Sequence, residues 1–364
     1  MRIKSLKIKG FRNLKPLDLK FGEEGAVFAF VGSNGQGKTN ILEAIYMLAL
    51  SKSFRSHTAQ DVIGFEADFC KAEAAAETTE GEKLLEMSLM KDMAQKGLKV
   101  NGVKKIAADF IGNLKAVFFS PEDISLISLE PKIRRRYMDI LLSQTDHEYL
   151  EDLMRYQETV KQRNALLRRI REGKSNESEL EFWDGAMAEK GIKVMRKRQE
   201  LIKSLSDLVL PYYNSIAQCE NKIEVHYLSK AGDTKNKKEF LELIAKNHDR
   251  DIGSGATQIG PHRDDLEFFL NGHDMEYFAS RGEWRSLVLA LKFAEIAIIK
   301  EVSGETPVLL LDDVFSELDE TRQKYLMTAI EGAQTFLTTT HGEFLESVKI
   351  PLHIYKVEGG KVTG

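Results

Sequence analysis

The chain of 364 residues predicts a two-lobed α/β architecture. Three observations predict it. A glycine-rich loop sits between a strand and a helix near the N-terminus, a wholly apolar strand ending in paired aspartates lies near the C-terminus, and a long helical stretch separates them. A length beyond the roughly 250 to 300 residues at which a single core stops growing calls for a second lobe.

Taken in order, residues 1 to about 120 read mostly as strands: RIKSLKIKGF, PLDLKF, AVFAFV, ADFCKAEAAAET, KLLEMSLM, GLKVNGVKKI and KAVFFS. Turn pairs such as Gly81-Glu82 and Asn101-Gly102 break them. Among them stands GSNGQGKT, Gly32 to Thr39, directly behind AVFAFV and ahead of the helical NILEAIYML. It is a complete GxxxxGK[ST] match. Glycines let successive backbone N–H groups turn inward, and the new helix offers its positive end to phosphate. Gly32, Ser33, Asn34, Gly35, Gln36, Gly37, Lys38, Thr39 and Asn40 therefore form the predicted ATP-binding segment. Lys38 reaches the β- and γ-phosphates, and the Thr39 hydroxyl is offered to Mg²⁺.

From about 121 to 250 the periodicity becomes helical. Leu150, Leu153, Met154 and Val160 form one apolar series; Trp183, Met187, Val194, Arg198, Leu201, Leu205 and Leu208 approximate another. REGKSNESE is a polar turn between them, so an antiparallel helix pair is expected, too short for a long coiled-coil arm. After about 252 mixed elements return: a helix from near Glu283, the strand PVLLLDDVF, a helix from Asp319, the strand TFLTTT and a final hairpin. The P-loop strand and the aspartate strand are expected side by side in one sheet. The expected division is 1–120 with 305–364 as the first lobe and 121–304 as the second. Internal repeats and low-complexity tracts are absent.

VLLLDD, Val308 to Asp313, ends a buried strand in two carboxylates. Asp312 is expected in the Mg²⁺ shell and Asp313 as the group orienting the attacking water. His341, at the end of TFLTTT, is a polar side chain placed to contact a γ-phosphate. Ser280 and Gly282, with Arg281 between them, precede the helix carrying Leu287, Leu291 and Ala294, which makes a second helix N-terminus able to meet an anion. Its plainer reading is an ordinary cap by Ser280 or Glu283.

These motifs resemble the ABC-type ATPases and, within them, the SMC-like branch. Three longer stretches resemble the RecF family of bacterial recombination mediators: FRNL with GSNGQGKTNILEAIY, then VFFSPEDISLISLEPKIRRRYMDILLSQ, then TQIGPHRDDL. The resemblance runs from Met1 to the last hairpin. It implies an ABC-type ATPase head and an ATP-dependent homodimer in which the Ser280-Arg281-Gly282 signature of one subunit closes over the ATP of the other. It implies DNA binding at gaps and single-strand/double-strand junctions, work with RecO and RecR, and loading of RecA. By the same resemblance Asp319 takes the D-loop position and Arg12 touches nucleotide. The signature departs from Leu-Ser-Gly-Gly-Gln, reading Ala279-Ser280-Arg281-Gly282-Glu283, while Arg285 keeps the family's later basic position. Asp313 stands where most ABC ATPases carry glutamate, so slow hydrolysis is expected. The lobe-linking glutamine has no clear counterpart, and its neighbourhood falls at Ser120-Pro121-Glu122-Asp123.

Net charge is −4, yet residues 132–203 hold 17 Lys/Arg against 13 Asp/Glu. A nucleic-acid partner must meet a local basic surface. Lys52 and Arg55, with Phe54 and His57 in SKSFRSH, make one candidate; Arg134, Arg135 and Arg136 make another. Two cysteines without a CxxC pair argue against a disulfide framework or zinc site. No apolar run reaches a membrane span and the N-terminus lacks a signal-peptide core, so a cytoplasmic protein without a membrane partner is expected. A P-loop kinase leaves Ser280, Gly282 and His341 without a role, and a membrane importer subunit fits poorly with the helical insertion. Two alternatives remain: another SMC-like ATPase driving a partner other than DNA, and a structural adaptor that binds ATP without hydrolysing it, which the atypical Asp313 leaves open.

Overall fold

The computed structural model describes residues 1–22, 26–56, 58–93, 95–128, 130–340, 342, 345 and 351–364. They divide into two compact units. The first comprises Met1–Ile124, Ser215–Gln218 and Arg285–Gly364; the second comprises Ser125–Asn214 and Cys219–Trp284. After a brief return at Ser215–Gln218, the chain passes back to the first unit for good at Arg285, some twenty residues before the expected 305. Along the helix Arg281–Ser303, side chains such as Leu287, Leu291 and Ala294 are buried from Ser286 onward.

In the first unit one sheet is antiparallel, in the order Leu17–Lys20, Arg2–Lys9, Phe69–Thr78, Gly81–Met90, Gly97–Val100, Val103–Lys104. Alternation drives it: Leu6 and Ile8 are buried on one strand, with Ile3 brought to the same side across an irregularity between Ile3 and Ser5, and Ala72, Ala74 and Ala76 are buried on its neighbour. Asn101 and Gly102 both take positive φ, 51° and 77°, in a two-residue hairpin. The other expected turn is displaced, because Gly81 already pairs with Thr78 as a strand residue and Thr79-Glu80 make the turn.

The second sheet of this unit carries the chemistry. Its order is Lys361–Thr363, Leu352–Glu358, Val27–Val31, Thr335–Thr339, Val308–Asp312, Ala116–Phe119, parallel except for the terminal Leu352/Lys361 hairpin. The P-loop strand and the aspartate strand are therefore not adjacent. Thr335–Thr339 lies between them, pairing with Val27–Val31 on one side and Val308–Asp312 on the other. The helix Lys38–Leu50, buried over nearly its whole length, packs against strands of both sheets, which fixes the loop that precedes it. Phe21, Phe28 and Phe336 are buried against one another with edge and stacked ring contacts.

The second unit is built on the helices Pro131–Thr145, His147–Arg171 and Leu180–Ala217. The last two run antiparallel, laced by Arg163–Asp184, Lys190–Asp152, Lys193–Glu148 and Lys197–Asp146. Met154 of the expected apolar series is 41% exposed, whereas Leu150, Leu153 and Val160 are buried. A three-stranded antiparallel sheet, His273–Asp274, Asp265–Leu270 and Ile223–Leu228, accompanies the helices. Its strand Ile223–Leu228 lies inside the stretch read as helical. No helix among the described residues is long and apolar enough to cross a membrane.

Candidate functional site

The strand Val27–Val31 delivers the loop Gly32–Gly37, and the chain can turn only where side chains are missing. Gly35 and Gly37 have φ of 80° and 107°. A Cβ on Gly32 would lie 2.3 Å from the Val357 carbonyl oxygen. The final hairpin clamps the loop from outside: Gly359 N donates to Gln36 Oε1 at 2.6 Å and Gly360 N to the Gln36 carbonyl at 3.1 Å. From the FRNL segment, Asn13 Nδ2 donates to the Gly35 carbonyl at 3.0 Å, and Asn40 Nδ2 donates to Asn13 Oδ1 at 2.6 Å. Asn13 and the 359–360 pair were invisible in the motif because they act from across the chain.

Lys38 folds back on the loop, its Nζ donating to the carbonyls of Gly32 at 2.6 Å and Ser33 at 3.0 Å. Burial lowers its pKa from the ordinary lysine value, against the pull of Asp313 and Asp312. Thr39 Oγ1 donates to Asp312 Oδ1 at 2.8 Å, and Thr338 Oγ1 donates to the same oxygen at 2.6 Å. Thr338, on the intervening strand, is how the two separated strands meet; the threonines of TFLTTT were the available signal. Asp313 follows in the left-handed region at φ 50°, its amide bonded to Thr338. A non-glycine residue held there marks a strained, over-determined position.

Asn34, Lys38, Thr39, Asp312, Asp313 and Thr338 face a cavity of about 250 Å³. Its other wall is Phe54, Arg55, Phe118, Ser120, Pro121 and Glu122. Phe54 stacks on Phe118 with centroids 4.1 Å apart, and the Arg55 guanidinium lies over Phe54 at 5.5 Å. The Ser120–Glu122 turn is thus part of the site, although the motif neighbourhood there carries no glutamine.

Arg12 does not line this cavity. Its guanidinium is spent on the wholly buried Glu43, by Nε at 3.0 Å and Nη2 at 2.7 Å, and on Ser56 and the Asp61 carbonyl. Arg55 donates to Glu43 at 2.7 Å and to Asn40. Ser53 Oγ adds a bond of 2.5 Å. Burial acts to raise the Glu43 pKa, but the Arg12, Ser53 and Arg55 bonds outweigh it and hold it below the usual glutamate value. Glu43 is the hub that sequence reasoning missed; an acid in the middle of an otherwise apolar helix face was its trace.

Ser280 and Glu283 form a reciprocal cap. Ser280 N and Oγ donate to Glu283 Oε2 at 2.7 and 2.8 Å, and Glu283 N donates to Ser280 Oγ at 3.3 Å. The helix consequently begins at Arg281, two residues before Glu283. Asp319 caps the helix Glu320–Ile330 by accepting from Arg322 N at 2.9 Å, and Arg322 also reaches Ser286. Arg285 pairs with Glu317 at 2.9 Å. His341 lies outside the described residues, as does His57.

The triple arginine splits because successive helical residues point about 100° apart. Arg134 is buried in a two-pronged pair with Asp265, at 2.7 and 2.9 Å, which removes it from the DNA-contact candidates. Arg135 donates to the Asp264 carbonyl at 2.7 Å, and Arg136 is exposed. Lys52 is exposed at the end of the P-loop helix. The TQIGPHRDDL stretch serves the interior of its unit. Thr257 Oγ1 accepts from the buried Arg163 and the Pro261 carbonyl from the buried Arg198, while burial lowers His262 to a pKa of about 4.

The family described as RecF/RecN/SMC N terminal domain matches residues 2–363. A protein of Streptococcus suis (strain 05ZYH33) named DNA replication and repair protein RecF is 38% identical, covering 100% of this chain and 99% of its own. One of the same name from Lysinibacillus sphaericus (strain C3-41) is 35% identical over 96% and 97%. The chain belongs to the RecF family. Two solved structures, described as the recombination mediator protein RecF in the RecFOR pathway with ATPrS and with ATP, match it with a TM-score of 0.90 at 34% identity. Each match covers 99% of this chain, and 97% and 96% of the respective chains. An Smc head bound to the C-winged helix domain of ScpA, 16% identical with a TM-score of 0.56, shares the fold. The ABC-type head without a long coiled coil is thus the RecF-family architecture, as the sequence predicts. In the segment Ala279–Glu283, Glu283 closes on Ser280.

Proposed function

We propose that this chain is a slow, Mg²⁺-dependent ATPase that works as a nucleotide-gated DNA-binding dimer in recombinational repair, in the cytoplasm. It acts at single-strand gaps and single-strand/double-strand junctions with RecO and RecR to promote RecA loading. The observation that carries this reading is the convergence of Lys38, Thr39, Asp312 and Asp313 on one cavity, in a chain of the RecF family from end to end.

In this reading the backbone of Gly32–Gly37 cradles the phosphates and Asn40 helps to brace the loop. Lys38 exchanges its two loop carbonyls for phosphate oxygens. Thr39 Oγ1 and Asp312 Oδ1, two hard oxygen donors 2.8 Å apart, suit a Mg²⁺ ion. When bound, that ion supplies charge neutralisation to the phosphates. Asp313 orients and deprotonates the attacking water, held to its post by the Thr338 bond to its amide. Ser280, Arg281 and Gly282 act on the partner subunit's nucleotide, which requires Ser280 to exchange its bond to Glu283. Asp319 sits at the D-loop position, His341 serves as the γ-phosphate contact, and Arg12 supports the loop through Glu43 and Arg55 rather than directly. Lys52, Arg55, Arg135 and Arg136 remain the DNA-facing candidates.

A carboxylate one methylene shorter than glutamate also favours a second reading, in which ATP is bound as a switch and barely cleaved. Single-turnover hydrolysis with gapped duplex DNA separates the two. Parent protein cleaving ATP at a rate that Lys38→Ala abolishes and Asp313→Asn lowers at least tenfold supports the ATPase. Equal, background-level cleavage by all three, with ATP still bound by the parent, leaves the binding-only switch.

A further inference from the structure

Three ionisable groups that the nucleotide chemistry does not use lie directly behind the Ser120–Glu122 wall. The strand Ala116–Phe119 alternates its faces: Phe118 looks into the cavity against Phe54, and Phe119 looks the other way, beneath the Lys292 ammonium at 5.9 Å. Lys292 Nζ stands 3.5 Å from Asp123 Oδ1 and 3.6 Å from Glu295 Oε2. Asp123 in turn closes the wall. Its Oδ2 accepts from Ser120 N at 2.7 Å, while its own amide donates to the Ser120 carbonyl at 3.1 Å. Pro121 and Glu122, enclosed by that turn, are the residues presented to the cavity.

Lys292 and Glu295 are buried and Asp123 largely so. Removing such charges from water is unfavourable, and well-packed apolar residues would serve folding as well or better. The expense makes sense if the geometry itself is needed. Glu295 Oε2 is buried without a hydrogen-bond partner and only approaches Lys292 at 3.6 Å. Burial raises Glu295 to a pKa of about 7, against the pull of Lys292. Lys292 itself keeps a raised pKa because Asp123 and Glu295 overcome the burial that would lower it. The ammonium therefore persists near neutral pH. Burial raises the Asp123 pKa above the ordinary aspartate value against the pull of Lys292, and the contact of 3.5 Å between them is what ties the turn to the helix.

We propose that Lys292 is a positioning residue: through Asp123 it locks the Ser120–Glu122 turn as the wall facing Lys38 and Asp313, and so sets the rate of phosphoryl cleavage rather than the affinity for nucleotide. The lysine sits eleven residues into the helix that begins at Arg281, about 16 Å along its axis at 1.5 Å per residue. Any axial shift of that helix is passed to the wall through one ion pair. This inference rests on the ATPase reading above.

The test compares parent, Lys292→Met, Lys292→Arg and the double variant Lys292→Met/Asp123→Asn in single-turnover ATP cleavage with gapped DNA. Fluorescent-nucleotide titration and thermal melting accompany it, with Lys38→Ala as the control for the ATPase itself. Lys292→Met is expected to lose about tenfold or more in the cleavage rate while nucleotide affinity stays within twofold, and Lys292→Arg is expected to recover much of the rate. The double variant removes the stranded Asp123 carboxylate, and Glu295, already raised to a pKa of about 7, takes up a proton when the lysine is lost. This variant should melt close to the parent yet still cleave slowly, which a merely structural lysine would not do. Parental cleavage by a well-folded double variant, or a loss confined to nucleotide affinity, overturns the proposal. Cleavage by the parent that Lys38→Ala does not reduce would instead defeat the ATPase reading on which it rests.

Discussion

Replacing Glu43 by glutamine probes the joint between the P-loop helix and the segment that follows it. The side chain is wholly buried and accepts two bonds from Arg12, one from Arg55 and one from Ser53. Glu43→Gln keeps the shape, removes the charge and turns one acceptor into a donor facing guanidinium groups. Breaking a buried ion pair from one side costs about 3–5 kcal/mol. Arg12 and Arg55 retain 23% and 37% side-chain exposure, so water relieves part of this, and about 2–3 kcal/mol is expected. At about 2.1 cal/mol/K per residue over a cooperative unit of roughly 200 residues, Tm should fall by about 5–7 °C. The sign with pH is fixed. Glu43 is held below the usual glutamate value, so its contribution is fully present above that value and is lost as pH falls through the lower, folded one. Calorimetric melting of parent and variant should show the full gap at pH 7 and a narrowing gap below about pH 4.5. A gap under 1 °C at pH 7, or one that is unchanged in acid, refutes the hub.

Gly32→Ala drives a Cβ to 2.3 Å from the Val357 carbonyl and must displace the clamping hairpin. A loss of about 1–3 kcal/mol in denaturant unfolding, together with nucleotide affinity weakened at least tenfold, is expected. Lys52→Ala should reduce the salt dependence of DNA binding by a log-log slope of about 0.9, as for one lost phosphate contact. Arg134→Ala should lower the melting temperature, by stranding Asp265, and leave that slope alone. Glu295 is raised to about 7, so its contribution is full below the ordinary glutamate value and is lost as pH rises through about 7. Glu295→Gln should flatten the parent's decline in Tm over that window.

Local chemistry was legible where neighbouring residues alone dictate it. The strand, loop and helix around Gly32–Thr39 follow from glycine spacing and apolar runs, and the aspartate strand from VLLLDD. Strand order was not, because pairing joins residues hundreds apart: Thr335–Thr339 reads as a strand, but nothing in it says that it separates the other two. The clamp between Gln36 and Gly359 is hidden for the same reason. In RRR, the helical register was visible, but Asp264 and Asp265, which decide which arginine is buried, lie about 130 residues away. Ile223 and Val225 alternate with polar neighbours and could have identified the strand Ile223–Leu228. The reciprocal cap of Ser280 and Glu283 was the plainer of the two sequence readings, and in this structure it is what those side chains do.

Sedimentation velocity of the Asp313→Asn protein on labelled gapped duplex, with and without ATP and with Lys38→Ala as control, tests the nucleotide-gated dimer most directly. The account predicts that ATP doubles the protein mass on DNA and that Lys38→Ala abolishes the doubling. Unchanged mass while ATP is still bound would contradict it and leave a monomeric nucleotide-binding protein.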